Sequence, residues 1–406
     1  MITIENAKQI VQRLFEQHPT KNFSIRLWDG SIVDWGKPPT FTLVFHNPET
    51  FTSLIYSQNP ALFGEAFMEK NFDIEGDVYD AIALSKYLRE VKLSWTEKIS
   101  VAMKLGVPKS RHSREEDARD VQAHYDLSND FYRLFLDKQM VYSCAYFSSP
   151  TQSLEEAQER KLDLICKKLR LKPGESFLDI GCGWGALVMW AAKNYGVKAQ
   201  GITLSKNQFA LAQERVKAAG LENQVTIELK HYADLPKNTY DKIASIGMIE
   251  HVGFGKYSEY FAATHEALKA GGLFLNHGIT TDYHFPEGSG GEFITKNVFP
   301  GSELDHISRT LTAEEEAGFE ILDVEQLRPH YALTLREWAK RFMSNESEAA
   351  KFVPEKILRI WKLYLPGCAL AFEQGLLGVY QELLAKQKPD GSTNAPLTRE
   401  DIQLKK

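Results

Sequence analysis

The run Ser176-Phe177-Leu178-Asp179-Ile180-Gly181-Cys182-Gly183-Trp184-Gly185 restricts the fold of this chain more than any other stretch. An apolar segment of strand length enters three glycines at alternate positions and leaves them as a helical pattern, so the backbone must turn sharply from strand to helix. Glycines there let a ligand reach the main chain where the strand ends, which predicts a nucleotide site. The spacing is GxGxG, not the GxGxxG of dinucleotide folds. The second strand ends in Gln200 and Thr203 where such folds place an acidic residue. A hydride-transfer enzyme is therefore disfavoured, and S-adenosylmethionine, which has no pyrophosphate, is the expected cofactor.

The surrounding pattern supports a parallel sheet covered on both faces. Ser153 with Glu156 is a capping box opening a helix to about Arg170, stopped by Pro173-Gly174. Strands are expected at Ser176 to Ile180, Val197 to Thr203, Val225 to Leu229, Lys242 to Ile246, Leu273 to Ile279 and Glu320 to Gln326. Gly196 and Gly220 suit left-handed helix ends. The run Thr203-Leu204-Ser205-Lys206-Asn207-Gln208 presents polar atoms to an adenosine, or else Ser205 and Gln208 merely cap the next helix. Residues 1–105 read as a smaller α+β domain: a helix with Ile4, Ala7, Val11 and Leu14 on one face, a hairpin turning at Asp29-Gly30, a strand at Phe41 to Phe45, and helices near Ala61 to Glu69 and Tyr79 to Val91. Residues 106–115 read as a linker, and 116–406 as the cofactor-binding domain.

A net charge of -6 gives no global attraction to nucleic acid. Cys144, Cys166, Cys182 and Cys368 lie far apart without metal-ligand spacing, so neither a metal site nor a disulfide framework is expected. No stretch supplies the roughly 18 uninterrupted apolar residues of a membrane span, and the start has no secretory pattern. The expectation is a cytoplasmic protein.

Four motifs in one order carry a resemblance: Tyr142-Ser143-Cys144-Ala145-Tyr146-Phe147, Asp179 to Gly185, Thr203 to Gln208, and Glu250-His251-Val252-Gly253. Together they resemble the cyclopropane-fatty-acyl-phospholipid synthase family, which includes the mycolic acid cyclopropane synthases. The likeness spans about residues 116 to 385. Trp28-Asp29-Gly30-Ser31 and Phe63-Gly64-Glu65-Ala66-Phe67 extend it into the N-terminal domain and favour the phospholipid-acting branch. The resemblance implies a class I methyltransferase, Rossmann-like and doubly wound, that transfers a methyl group to the cis double bond of an unsaturated phospholipid acyl chain and closes a cyclopropane. It also implies a homodimer held partly by the N-terminal domain, resting against the inner face of the membrane.

In that reaction the alkene attacks the sulfonium methyl, and the resulting carbocation must be kept from water until it loses a proton. The resemblance implies bound bicarbonate as the proton acceptor, held by Cys144, Glu250, His277, the backbone of Ile279, and Tyr331. Tyr142, Ser143, Asp179, Gly181, Gly183, Thr203, Leu204, Gln208 and Tyr232 are implied as contacts of S-adenosylmethionine. Taken singly, Cys144 also reads as a buried apolar residue, His277 as a core histidine, Glu250 as a cap and Tyr331 as a helix-start aromatic. Asn276 and Gly278 beside His277 depart from the family's pattern. Tyr142 and Tyr146 are the expected aromatic faces for the cation, whereas Phe131, Leu134 and Phe135 read as core. A methyl-branching enzyme and a non-catalytic lipid-binding protein are the alternatives.

An acyl chain has to be drawn from a bilayer. Gly288 to Gly291 lies in a polar loop suited to an entry gate, and the apolar region from Trp361 to Leu377, read as helical, suits an acyl tunnel, a core or a dimer contact. Between residues 86 and 114, eight basic side chains face two acids, a pattern that fits either a solvated face or a contact with anionic headgroups worth about 1 kcal/mol per basic residue. Reversing Lys98, Lys104, Lys109 and Arg111 to glutamate is expected to lower co-sedimentation with anionic vesicles, and unchanged binding would assign the run to solvent.

Overall fold

The computed structural model describes residues 2–90, 127–282 and 291–402, apart from positions 17, 20 and 37. The expected linker, the Gly288 to Gly290 part of the gate loop and most of the basic run lie outside the described residues. The chain divides into two compact units.

The smaller unit draws on Met1–Arg111, Pro286–Val298 and Val353–Leu370. Strands β1 (Phe23–Arg26), β2 (Ile32–Asp34), β3 (Phe41–Phe45) and β4 (Phe72–Gly76) form a sheet in the order β2-β1-β3-β4. The β1–β2 hairpin turns at Gly30, whose φ of 83° is one that a side chain disfavours. Helix Ile4–Phe15 covers the sheet with Ala7, Val11, Leu14 and Phe15. The Phe15 ring lies 5.2 Å from Phe23 and 5.5 Å from Trp35.

Two later segments join this unit, which corrects the expected continuous domain at 116–406. Helix Gly291–Asn297 lies against Pro60–Met68 because Gly64 has no side chain: a Cβ there would meet the Phe293 ring at 2.6 Å. Lys296 pairs with Glu65 at 2.6 Å. In helix Glu355–Glu373, Arg359 donates to the Phe72 carbonyl at 3.0 Å, pairs with Asp73, and sits 3.9 Å above the Phe67 ring. Trp361 and Leu365 of that helix are buried, and Leu363 packs on the aromatic core. Up to Leu370 this region therefore belongs to the smaller unit.

The larger unit is built on seven strands: β5 (Ser176–Ile180), β6 (Lys198–Thr203), β7 (Val225–Leu229), β8 (Tyr240–Ile246), β9 (Leu268–Thr281), β10 (Phe319–Gln326) and β11 (Leu377–Lys386). Their order is β10-β11-β9-β8-β5-β6-β7. The β9-β8-β5-β6-β7 part is parallel, and β11 runs antiparallel to both β9 and β10. Strand β11 begins at Leu377, where the helical reading ends, and no strand is expected there from the sequence. From β5 the chain proceeds to β6 and β7, then crosses back to β8 and β9. The direction reverses beside β5, and a crevice opens at the carboxyl ends of β5 and β8. No helix among the described residues is long and apolar enough to cross a membrane.

Helix Leu154–Lys168 packs on this sheet through a face that includes Gln158, Lys161, Leu162, Ile165 and Lys168, all buried. Its start is fixed by the capping box: Ser153 Oγ accepts the Glu156 N–H at 3.3 Å, and Glu156 Oε2 accepts the Ser153 N–H at 3.4 Å. Ser153→Ala is expected to cost about 1 kcal/mol, read as a lower midpoint in thermal unfolding.

Candidate active site

The glycine loop builds the floor of the crevice. Gly181 and Cys182 both donate backbone N–H groups to the Ile202 carbonyl at 2.9 Å, which ties the loop to β6. Gly181, Gly183 and Gly185 have φ of 77°, 52° and 82°, and Gly185 caps helix Ala186–Tyr195. A Cβ at Gly183 would meet nothing within 4 Å, so the backbone there lies open to a ligand.

Around this loop lies a cleft. Every residue expected to contact the cofactor lines it: Tyr142, Ser143, Asp179, Gly181, Gly183, Thr203, Leu204, Gln208 and Tyr232. In the Thr203 to Gln208 run the capping role is seen directly, while Thr203, Leu204 and Gln208 lie in the cleft wall. Ser205 Oγ caps the Gln208 N–H at 3.3 Å, while Thr203 Oγ1 donates to Gln208 Oε1 at 2.9 Å. Lys161, which the sequence reading passed over, is also in the wall, with Nζ donating to Ser143 Oγ at 2.9 Å. Burial pulls it down to about 8, and burial pushes the Asp179 carboxyl up to about 7. Asp179 Oδ1 is buried without a hydrogen-bond partner. An orphaned acceptor, an open glycine backbone and an adjacent ammonium fit the polar end of S-adenosylmethionine.

Hydrogen bonds and strand pairing connect the residues expected at the base site, none of which lines the cleft beside the glycine loop. The Leu327 carbonyl accepts the Cys144 thiol at 3.8 Å and the Tyr331 N–H at 3.1 Å. Leu327 N–H donates to Val379, which lies opposite Ile279 in the β11–β9 pairing. Ile279 N–H in turn donates to Glu250 Oε1 at 2.6 Å. Two residues back, His277 Nδ1 lies 3.1 Å from Gln381 Nε2. The amide donates there, leaving the imidazole proton on Nε2. Burial, followed by the ammonium groups of Lys161 and Lys168, holds His277 well below the usual imidazole range. Burial pushes Glu250 up to about 7 against the Ile279 N–H, and its Oε2 has no partner. Cys144 is fully buried, and burial raises its thiol.

Strand alternation explains the departures beside His277. Asn276 points to the opposite face, where its Nδ2 donates to Glu314 Oε1 at 3.2 Å. A Cβ at Gly278 would come within 2.2 Å of Ile249 Cγ2 in the turn that carries Glu250. Of the two expected aromatic faces, Tyr142 lines the cleft and Tyr146 does not. The Tyr146 ring stacks on His330 at 4.6 Å, and its hydroxyl donates to Glu325 at 3.1 Å. Phe131 and Phe135 are core, as expected, whereas Leu134 is half-buried. Tyr142 lies 5.1 Å from Trp338, which lies 6.1 Å from Tyr331, so one aromatic row joins cleft and corner.

A glycine loop at the switch point of a doubly wound sheet, with a cleft suited to adenosine and an amino-acid group, defines a class I S-adenosylmethionine-dependent methyltransferase. A crystal structure of mycolic acid cyclopropane synthase CmaA1 complexed with SAH and CTAB has the same fold. It is 37% identical with a TM-score of 0.63, covering 66% of this chain and 97% of that one. The family model for mycolic acid cyclopropane synthetase matches residues 112–382, and the chain belongs to that family. A second model, described as a domain of unknown function, matches residues 10–93. Relatives extend over nearly the whole length. A probable fatty acid methyltransferase of Pseudomonas putida is 43% identical over 383 residues, 93% of this chain and 95% of that protein. The tuberculostearic acid methyltransferase UfaA1 of Mycobacterium tuberculosis is 34% identical over 375 residues, 89% and 87% of the two chains.

Gly278→Ala is expected to push Ile249 and Glu250 out of place, at about 1–3 kcal/mol. The checks are a lowered thermal midpoint and slowed methyl transfer; an unchanged midpoint would show that the Ile249 turn yields freely.

Proposed function

We propose that this enzyme methylates the cis double bond of an unsaturated phospholipid acyl chain at the inner membrane surface and closes it to a cyclopropane, working as a homodimer. The observation that carries this reading is the buried corner at Glu250, joined to the cofactor cleft by the aromatic row through Tyr142, Trp338 and Tyr331. Bound S-adenosylmethionine supplies an electrophilic methyl group. The alkene π pair forms the new carbon–carbon bond as the sulfur–carbon bond breaks, leaving positive charge on the acyl chain. The Tyr142 face offers that charge roughly 0.5 to 2 kcal/mol, and the apolar aromatic wall excludes water. Loss of a proton from the new methyl group frees the pair that closes the ring.

Bicarbonate held by Cys144, Glu250, His277, Ile279 and Tyr331 would supply the proton acceptor. Lys161 and Lys168 give the His277 side of the corner a positive field that suits a small oxyanion. The Ile279 N–H is engaged by Glu250, so an anion there has to share that donor. A methyl-branched product is the second reading, favoured by the fatty acid methyltransferases that match almost the whole chain. The two products differ only in the fate of the cation.

Incubation with labelled S-adenosylmethionine and vesicles of cis-unsaturated phospholipid, with bicarbonate present or removed, tests the proposal. NMR of the extracted lipid is expected to show cyclopropane protons, and a branched methyl signal would select the second reading. Glu250→Gln is expected to slow turnover roughly a hundredfold or more. Activity of the unmodified enzyme should fall as pH drops through about 7, where Glu250 takes up a proton. Full activity in Glu250→Gln would remove the base site from the mechanism.

A further inference from the structure

The two ends of the cofactor cleft differ in chemistry. Toward Thr203, Leu204, Gln208 and Tyr232 the wall is neutral, and Lys230 beside it pairs with Glu228 at 2.6 Å. At the other end Lys161 and Asp179 face the cleft while only 2% and 3% exposed. An ammonium removed from water is costly to keep unless a counter-charge meets it. Among the described residues, Lys161 makes one hydrogen bond, to the neutral hydroxyl of Ser143 at 2.9 Å. A lysine has three N–H donors, so donors remain. Asp179 has the complementary surplus, an acceptor oxygen without a partner.

A group carrying both an ammonium and a carboxylate answers both surpluses at once. We propose that Lys161 binds the carboxylate at the methionyl end of S-adenosylmethionine, with Ser143 holding the lysine in place and Asp179 accepting from the methionyl ammonium. The surroundings agree. Asp137 and Cys144 from the stretch before the helix, Asp179 from β5 and His277 from β9 are the titratable groups that interact with Lys161. Burial brings Lys161 down to about 8 and Asp179 up to about 7, so both charged forms are held less firmly than in water, and a zwitterion between them favours both. The inference concerns the cofactor alone and does not depend on the lipid product or on bicarbonate.

Calorimetric titration of the full chain with S-adenosylhomocysteine and with its decarboxylated analogue, which keeps the adenosine, sulfur and ammonium, is the test. The unmodified protein is expected to bind S-adenosylhomocysteine roughly ten- to a hundredfold more tightly than the analogue. Lys161→Met should lose that discrimination, weakening S-adenosylhomocysteine by a similar factor while the analogue changes by less than about threefold. Equal binding of the two ligands by the unmodified protein overturns the assignment. So does a discrimination that persists in Lys161→Met, or a loss shared by both ligands. Should Lys161→Met fail to fold, Ser143→Ala carries the same comparison: a loss confined to the carboxylate-bearing ligand supports the proposal, and a shared or absent loss overturns it.

Discussion

A buried carboxylate without a cationic partner needs a hydrogen bond to stay inside a protein, and at the corner of this sheet the Ile279 N–H gives one to Glu250. That bond can form because β9 continues past the point where β8 ends, so its backbone is still in place beside the short helix Ile249–Val252. The Gly247 N–H, donating to the His277 carbonyl at 2.8 Å, fixes the same junction from the other side. One oxygen of Glu250 is thereby pinned and the other left without a partner, at a pKa near neutrality. Strand β11, Cys144 and Tyr331 all connect to this junction through Leu327 and Val379.

The cations are placed with equal economy. Lys161 and Lys168 stand seven residues apart, two turns of helix, and so lie on one buried face. One faces the cofactor cleft; the other pairs with Glu325 at 2.6 Å. Burial, followed by the ammonium groups of both lysines, holds His277 well below the usual imidazole range and so keeps it neutral. The arrangement costs stability through desolvation, and the capping box and the apolar contacts of Leu162 and Ile165 offset part of that cost.

What the sequence made legible follows from how each element is stabilised. The parallel strands β5, β6 and β7 announce themselves because they are short, apolar and bounded by glycine or polar turns. Strand β11 does not: Gln381 and Glu382 sit buried in its middle, and Gln381 to Lys386 has the composition of a helix. The residues that line the cleft beside the glycine loop were legible from motif order. Lys161 was not, since lysine in a helix normally reads as solvated. Its signal was its place at an apolar position between Ala157, Leu162 and Ile165, where a polar residue breaks the pattern. The role of Asn276 and Gly278 needed the structure, because only strand pairing shows that they face Glu314 and Ile249.

The division into units follows the same logic of local need. Gly64 fits the Phe293 ring, and the helix Pro60–Met68 and β4 offer the Phe67 and Phe72 carbonyls to Arg359, so segments far along the chain complete the smaller core. The N-terminal sequence alone leaves those carbonyls and that ring face unmatched. A boundary drawn by sequence position separates the Arg359 guanidinium from Asp73, although the two form a part-buried ion pair. The smaller unit is therefore a product of segments spread along the chain, the last of them the Val353–Leu370 stretch that carries Arg359.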